Sequence, residues 1–231
     1  MRIDGARQGA IVMLNGTFTI WRLDPGKYTL IAQQMAGRIQ LQSAPLDIEV
    51  GTSNVENLQL RMVPPFAIAG QLRFDDDQAR QPIQPPSSPG GGHSSPPPPR
   101  HILLRSIHNN GGVFQTDISA DDSFTLDDVQ PGRFQVTVQG VSGYVKSVRA
   151  GNIETEGDIL DARNGSPGPV TITLSSNYCE ISGTVSDAKG PAADLSIGLV
   201  AANAHANAQF SRSNSGGVYQ FRVAPVSTSW L

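Results

Sequence analysis

The sequence predicts an all-β protein made of tandem β-sandwich modules, and three observations lead to that prediction. The chain is rich in turn-forming residues, with 24 glycines and 17 prolines in 231 residues, and its apolar residues alternate instead of recurring at helical spacing. One strand–turn–strand pattern is written twice, and a second short pattern opens each module. Many short strands joined by tight turns are typical of this architecture.

The strand–turn–strand pattern, which we call the signature, occupies residues 16–30 and recurs at residues 122–136. The offset between the copies is constant, since 124 − 18 for the Phe pair and 131 − 25 for the Pro pair both give 106. In each copy an aromatic residue begins an apolar strand face, a Pro-Gly pair follows, and a second strand resumes the alternation. We expect the Gly to adopt positive φ in a type II turn.

A third copy of the signature lies at residues 217–225 and is incomplete. Its two aromatic residues, Tyr219 and Phe221, keep the spacing of the apolar face. However, Pro225 follows Tyr219 by six residues instead of seven, and Val226 replaces the turn Gly. We interpret this copy as truncated or read out of frame after Pro225.

A second pattern, Ile-x-Gly-x-Leu/Val, which we call the opener, occurs at residues 68–72 and 181–185. Its apolar residues share one strand face, and its central Gly predicts a bulge or the close approach of another backbone. Each opener follows an alternating apolar run, at residues 55–62 before the first and 170–174 before the second. We expect both runs to be strands.

These patterns divide the chain into three parts. Residues 1–64 are interpreted as the C-terminal half of one module, 65–176 as a complete module, and 177–231 as the N-terminal half of a third, truncated module. A module of about 110 residues suits a seven-stranded sandwich. The complete module contains a Pro/Gly-rich insertion at residues 78–100, which we expect to be a flexible, partly polyproline II loop. Because half-modules expose strand edges, we expect both ends to pack on the middle module or on each other.

Composition and charge argue against several classes of function. A net charge of −3 without a basic stripe argues against nucleic-acid binding. No apolar run approaches the roughly 18–20 residues that a membrane span needs. The start of the chain is not a signal peptide, because the apolar run from Ala10 to Leu14 is too short. The single cysteine, Cys179, cannot form an intrachain disulfide, and we expect it to be a half-buried strand residue.

Residue patterns for catalysis are missing from the sequence, and we predict that the protein is not an enzyme. The sequence has no Gly-x-Ser-x-Gly elbow and no P-loop. We predict no catalytic, cofactor-binding or metal-binding residue. None of the four histidines begins a zinc-binding motif; they are His93, His101, His108 and His205.

Acidic clusters and two aromatic residues remain as candidates for ligand contact. The clusters at residues 75–77, 121–122 and 127–128 are expected to be solvated turn residues, with Ca²⁺ binding as the weaker alternative. Trp21 is out of phase with the apolar face of the signature, and Tyr144 follows the second copy, so either ring could stack on a sugar. The other interpretation is a surface aromatic or an intermodule contact. A sugar-binding surface requires two or three such rings on one face.

The signature, the opener and the stretch that runs from Gly143-Tyr144-Val145-Lys146-Ser147-Val148 through residues 158–160 to residues 169–175 resemble a known family. It is the bacterial carboxypeptidase-regulatory-like (transthyretin-like) repeat proteins, of the kind abundant in Acidobacteria-type genomes. The resemblance covers nearly all of the chain except the insertion. It implies immunoglobulin-like/transthyretin-like β-sandwich modules and a chain that is a fragment of a longer one. It carries over no catalytic residue, because in metallocarboxypeptidases the zinc and the catalytic residues lie in another domain.

The same resemblance implies an extracytoplasmic location, in the periplasm or at the cell surface. The expected function is a non-catalytic structural or interaction module. The alternative is a carbohydrate-binding module, because the fold is grouped with starch-binding-like domains; this is an analogy at the level of the fold. The expected partner is a glycan or another cell-envelope protein, and the oligomeric state stays open.

Overall fold

The computed structural model describes residues 2–3, 6–7, 11–13, 15–37, 39–82, 98–107, 112–188, 190–200 and 209–225. Every regular element in these ranges is a β-strand, so the all-β prediction is confirmed. Within them, no helix is long and apolar enough to cross a membrane. The centre of the Pro/Gly-rich insertion (83–97), three of the histidines (His93, His108 and His205) and Val226 lie outside the described residues.

The first region, residues 2–63, forms several small sheets. The antiparallel pair β5–β8 places Tyr28 opposite Ile48 and buries Tyr28 and Leu30. Strand β7 pairs with β6 on one side and with β9 on the other. The strands are β1 (Arg2–Ile3), β2 (Ala6–Arg7), β3 (Ile11–Val12), β4 (Phe18–Thr19), β5 (Gly26–Leu30), β6 (Gln33–Ala36), β7 (Ile39–Ser43), β8 (Leu46–Val50) and β9 (Met62–Val63).

The middle region, residues 66–175, forms the two largest sheets. Its strands are β10 (Phe66–Phe74), β11 (His101–Ser106), β12 (Val113–Asp117), β13 (Ser123–Val129), β14 (Gly132–Gln139), β15 (Tyr144–Ala150), β16 (Ile153–Glu156), β17 (Ile159–Ala162) and β18 (Val170–Ser175). One sheet has the order β13-β10-β18-β15-β16, and the other has the order β12-β11-β14-β17. Strand β10 is antiparallel to β13 and parallel to β18.

Both sheets of the middle region contribute to one hydrophobic core. Alternate residues of a strand point to opposite faces, so every second apolar residue enters this core. Leu104 of β11 and Ile172 of β18 are examples from the two sheets, and each is fully buried. Burial of one such side chain contributes about 1.5–3 kcal/mol, which makes this core the main source of stability in the described chain.

The third region, residues 179–223, repeats the strand pairing of the middle region. Its strands are β19 (Cys179–Thr184), β20 (Ser186–Asp187), β21 (Gly190–Pro191), β22 (Ser196–Leu199), β23 (Gln209–Arg212) and β24 (Val218–Val223). Strand β19 contains the second opener and pairs antiparallel with β24, as β10 pairs with β13. The registers match: Ile68↔Leu126 and Gly70↔Phe124 correspond to Ile181↔Phe221 and Gly183↔Tyr219.

The opener glycines lie against aromatic rings. A Cβ atom on Gly70 would lie 2.3 Å from the Cζ atom of Phe124 and 2.5 Å from the Val170 carbonyl oxygen. A Cβ atom on Gly183 would lie 2.5 Å from the Tyr219 hydroxyl. The close approach of another backbone is therefore confirmed for Gly70, through Val170, whereas the nearest atoms to Gly183 belong to the Tyr219 side chain.

The type II turn predicted at Pro-Gly is wrong. Gly26 and Gly132 do not have positive φ; they begin β5 and β14. Left-handed backbone occurs four residues earlier, at Arg22 (φ 61°) and Asp128 (φ 56°). Gly132 leaves room for an aromatic ring on the same strand face, since a Cβ atom at this position would lie 3.1 Å from the Phe134 Cζ atom.

Three further expectations need correction. Of the run at residues 55–62, only Met62 is in a strand, whereas the run at 170–174 is the strand β18. Cys179 is a strand residue as expected, but it is exposed rather than half-buried. The insertion does not begin as a loose loop, because Ala79 is fully buried in the core of the middle region.

Candidate functional site

The turn before each signature strand has the same hydrogen bonds in all three copies. A residue with left-handed backbone precedes the first aromatic position by two: Gly16 (φ 83°), Asp122 (φ 68°) and Gly217 (φ 72°). Two backbone hydrogen bonds close each turn. The amide of the left-handed residue donates to the carbonyl of the residue three positions before it, and the amide of that earlier residue donates to the carbonyl of the residue that follows the left-handed one. The trios are Met13, Gly16 and Thr17; Ser119, Asp122 and Ser123; and Asn214, Gly217 and Val218.

The open face of the first region carries a candidate ligand site. A cavity of about 770 Å³ is bounded on one side by residues 16–23 and on the other by residues 48–58, with Leu30 between them. Trp21 lines this cavity and is 61% exposed. The ring is accessible as the sequence phase suggests, and the cavity that it lines contains apolar, polar and charged residues.

The cavity is lined by residues whose counterparts form the core of the middle region. Phe18, Ile20, Leu23 and Leu30 line it and are half-buried or better. With the offset of 106 they correspond to Phe124, Leu126, Val129 and Val136, all buried. The cavity is therefore the uncovered part of a signature core.

Tyr144 lies in a different place from Trp21. It is half-buried in β15, does not line the cavity, and its ring centroid is 5.0 Å from that of Tyr178. The Tyr144 hydroxyl donates to the Asn177 carbonyl at 3.3 Å, and the Tyr178 hydroxyl donates to the Ser142 carbonyl at 3.1 Å. Burial raises the pKa of the Tyr178 hydroxyl. This pair ties β15 to the segment that precedes β19.

The two aromatic residues singled out in the sequence thus have different surroundings. Trp21 lines an open cavity, and Tyr144 packs on a neighbouring ring between the middle and third regions.

His101 takes part in a contact that holds a sheet. It begins β11, and its Nδ1 atom lies 2.6 Å from Oδ1 of Asp117 across the β11–β12 pair. Among the described residues, no group of three or more His, Cys, Asp and Glu side chains is placed to hold a metal ion.

Asp76, from the first acidic cluster, is not merely a solvated turn residue. It is hydrogen-bonded to the end of β18. It accepts hydrogen bonds from the Ser176 hydroxyl (2.5 Å), the Ser176 amide (2.8 Å) and the Ala79 amide (2.8 Å). These hydrogen bonds lower the pKa of Asp76 from 3.8 to about 2, and the bond from the Ser176 hydroxyl has the largest effect. Its neighbour Asp75 pairs with Lys146 at 2.7 Å and raises the pKa of that amine.

Asp122 is a buried carboxylate with two arginine partners. Its Oδ1 atom lies 2.6 Å from Nη1 of Arg100, and its Oδ2 atom lies 2.7 Å from Nη2 of Arg80. The two arginines stand on opposite sides of the insertion, so one carboxylate fixes both of its ends. The Arg80 guanidinium also lies 4.7 Å from the centre of the Phe74 ring.

Asp121 belongs to the repeated turn. Its Oδ1 atom accepts bonds from the Ser123 amide (3.1 Å) and hydroxyl (2.7 Å), which lower the pKa of Asp121. In the first copy Asn15 makes the same two bonds to Thr17. Because a neutral amide performs this role equally well, the charge of Asp121 is not needed for it.

Comparison of the chain with protein-family models, with curated proteins and with solved structures finds no match.

The sequence interpretation missed the ion pairs of Asp122 and the ring pair of Tyr144 with Tyr178. A signal for the first was present, since Arg80 and Arg100 are the last basic residue before the proline run and the first after it. The second had no signal, because the contact depends on how residues 176–178 leave β18.

Proposed function

We propose that the chain is a non-catalytic repeat protein of immunoglobulin-like/transthyretin-like β-sandwich modules that serves outside the cytoplasm as a structural or interaction module. The proposed modules are residues 1–64, 65–176 and 177–231. The likeness to carboxypeptidase-regulatory-like repeat proteins in the signature and the opener supports this assignment. The shared turn of the three signature copies and the shared register of the two openers support it further.

The direct contacts between successive regions are the observation that carries the structural role. The Gln42 side chain donates to the Pro131 carbonyl at 3.2 Å, in a buried position. The Gln130 side chain donates to the Gln40 carbonyl at 3.1 Å. Tyr144 packs on Tyr178, the residue that directly precedes β19 of the third region. Modules tied by side-chain hydrogen bonds and ring packing form a spacer of defined geometry, whereas a free linker leaves module orientation unset.

Two carboxylates with several hydrogen-bonding partners are engaged in the same task. Asp76 anchors the end of β18, and Asp122 fixes both ends of the insertion. Each acts on a loop or a strand end. Carboxylates that hold loops and strand ends in this way suit a structural module.

The exposed Trp21 at an open cavity favours carbohydrate binding as the second candidate. An aromatic ring stacks on the apolar face of a sugar ring, and a tryptophan with most of its surface accessible provides such a platform. Tyr144 is not part of that surface, so a sugar site would depend on Trp21 together with the polar groups of Ser53 and Asn54, which line the same cavity.

A glycan array with the full chain separates the two candidates. The structural role predicts no saturable binding, and Trp21→Ala and the matched control Met35→Ala should behave as the parent chain. Saturable binding that Trp21→Ala abolishes and Met35→Ala leaves intact would replace the first candidate by the second. Protease treatment of intact cells tests location: the chain should be digested from outside or released with the periplasm, and a purely cytosolic signal would refute the extracytoplasmic proposal.

A further inference from the structure

The loop between β17 and β18 contains an asparagine that is followed directly by a glycine. Asn164 is exposed, and its side chain makes no hydrogen bond to any residue that the structure describes. The Gly165 amide donates to the Ala162 carbonyl at 3.4 Å, which is long for an N–H···O bond. A Cβ atom on Gly165 would meet nothing within 4 Å. The carboxamide and the next backbone nitrogen are therefore not held apart by strong contacts.

An asparagine in this setting can lose its side-chain nitrogen in water without an enzyme. The backbone nitrogen of the following residue, once it has lost its proton, attacks the side-chain carbonyl carbon, Cγ. A Cγ–N bond forms, the Cγ–Nδ2 bond breaks, and Nδ2 leaves as ammonia, so that a succinimide ring results. Water then opens the ring at either carbonyl and gives aspartate or isoaspartate. A following glycine favours ring closure, because it has no side chain in the way and adopts conformations that other residues avoid.

A second Asn-Gly pair lies in the turn of the first signature, and there both reacting groups are engaged. The Asn15 Oδ1 atom accepts hydrogen bonds from the Thr17 amide (3.1 Å) and hydroxyl (2.8 Å). The Gly16 amide donates to the Met13 carbonyl at 2.9 Å. Ring closure there must turn the Asn15 carboxamide away from Thr17 and remove a proton that is already hydrogen-bonded. These bonds therefore protect Asn15.

Asn152 separates the effect of the glycine from that of exposure. It lies exposed in the turn between β15 and β16 and, like Asn164, has no hydrogen bond from its side chain within the described ranges. The residue after it is Ile153, whose branched side chain hinders approach to the backbone nitrogen. Asn164 thus meets both conditions for ring closure, whereas Asn15 and Asn152 each lack one.

We propose that Asn164 is a site of spontaneous deamidation, at which water converts the amide to a carboxylate in the folded chain. The new charge follows Arg163, whose guanidinium binds Asp161 at 2.7 Å. Hydrogen bonding to Asp161 and the charge of Asp47, in the first region, both raise the pKa of Arg163. The modification therefore adds a negative group beside a charge cluster that the first and middle regions share. This inference does not rest on the proposed function.

Storage of the purified full chain at mildly alkaline pH, followed by acidic digestion and mass spectrometry of the separate peptides, tests the proposal. Asn164 should gain the mass difference between an amide and a carboxylic acid, and part of its product should be isoaspartate. Conversion of Asn15 should be slower by about tenfold or more, because its hydrogen bonds must break first. Asn152 should also convert more slowly than Asn164. Asn110, which precedes Gly111, lies outside the described residues and is followed on its own peptide.

The same chain unfolded in urea is the matched control. The hydrogen bonds of Asn15 are lost there, so Asn15 and Asn164 should convert at similar rates while Asn152 stays slow. Asn164→Gln should leave its peptide unmodified, because closure would require a larger ring. An Asn164 that stays intact in the folded chain, or an Asn15 or Asn152 that converts as fast as Asn164 in the folded chain, would overturn the proposal. None of these outcomes depends on the glycan array.

Discussion

The signature at residues 16–30 and the signature at residues 122–136 share their sequence pattern and turn but differ in burial. Phe124 is 4% exposed under the opener strand β10, whereas Phe18 is half-buried beside an open cavity. The turns of both copies make the same hydrogen bonds, and the strand after the Pro-Gly pair has a matching partner, β8 for β5 and β17 for β14. The comparison teaches that the turn and the pairing are local properties, whereas the core requires a strand from elsewhere in the sequence.

One difference between the two copies gives the first region an additional hydrogen bond. Tyr28 occupies the place of Phe134, and its hydroxyl donates a short hydrogen bond to the Asp24 carbonyl. This bond fixes the segment before β5 to the strand itself. Phe134 has no hydroxyl and is held by the core, with its ring edge-on to Phe114 at a centroid distance of 5.8 Å.

The largest expected contrast is between truncations of the two matched phenylalanines. Phe124→Ala removes a buried ring and should lower the free energy of unfolding by about 3–5 kcal/mol. Phe18→Ala should cost clearly less, because part of that ring already faces solvent. Urea denaturation followed by circular dichroism measures both. Equal losses would mean that the first signature is closed in solution.

Substitution of the two opener glycines by Ala should likewise cost more stability in the middle region than in the other region. In Gly70→Ala the new methyl group meets both the Phe124 ring and the Val170 backbone, and overpacking of this kind costs about 1–3 kcal/mol. In Gly183→Ala it meets the Tyr219 side chain, which is half-exposed and can rotate away. Thermal unfolding of both variants checks this difference. A larger loss for Gly183→Ala would contradict it.

A third contrast concerns the turn residue with left-handed backbone, which is Gly16 in the first copy and Asp122 in the second. Asp122→Asn keeps a residue that tolerates positive φ but leaves two arginines without their shared carboxylate, so we expect a loss of about 1–2 kcal/mol. Limited proteolysis should also cut faster between Arg80 and Arg100. Asp121→Asn is the control, because Asn15 already performs that turn role. Unchanged cleavage of Asp122→Asn would show that the insertion is held by other contacts.

The sequence could predict the strand class and the signature because these depend on residues close together, and it predicted the backbone approach at Gly70. It did not predict the aromatic rings that lie against both opener glycines. Phase alone identified Phe124, Leu126 and Val129 as one face. It could not identify the open cavity, because burial of Phe18 depends on whether a β10-like strand is present. Phase also predicted a strand over residues 55–61, and this was wrong because phase does not show whether a neighbouring strand is present. The Pro-Gly turn was wrong because the positive φ lies at Arg22 and Asp128, residues without the usual Gly marker.

The smallest expected effect is a pH dependence confined to the middle region. Asp76 has a pKa lowered to about 2 by the serine hydroxyl and the amides it accepts from. A carboxyl group with a lowered pKa in the folded state stabilises the protein above its unfolded pKa near 3.8, and this stabilisation is lost as the pH falls through 2. In the first region the positions matching Ser175 and Ser176, with an offset of 112 that aligns residues 58–62 with 170–174, are Val63 and Pro64, which offer no hydroxyl. Urea unfolding should show Asp76→Asn less stable than the parent at pH 6, with the difference shrinking between pH 4 and pH 2. A difference that stays constant over that range would show that the charge of Asp76 is not what anchors β18.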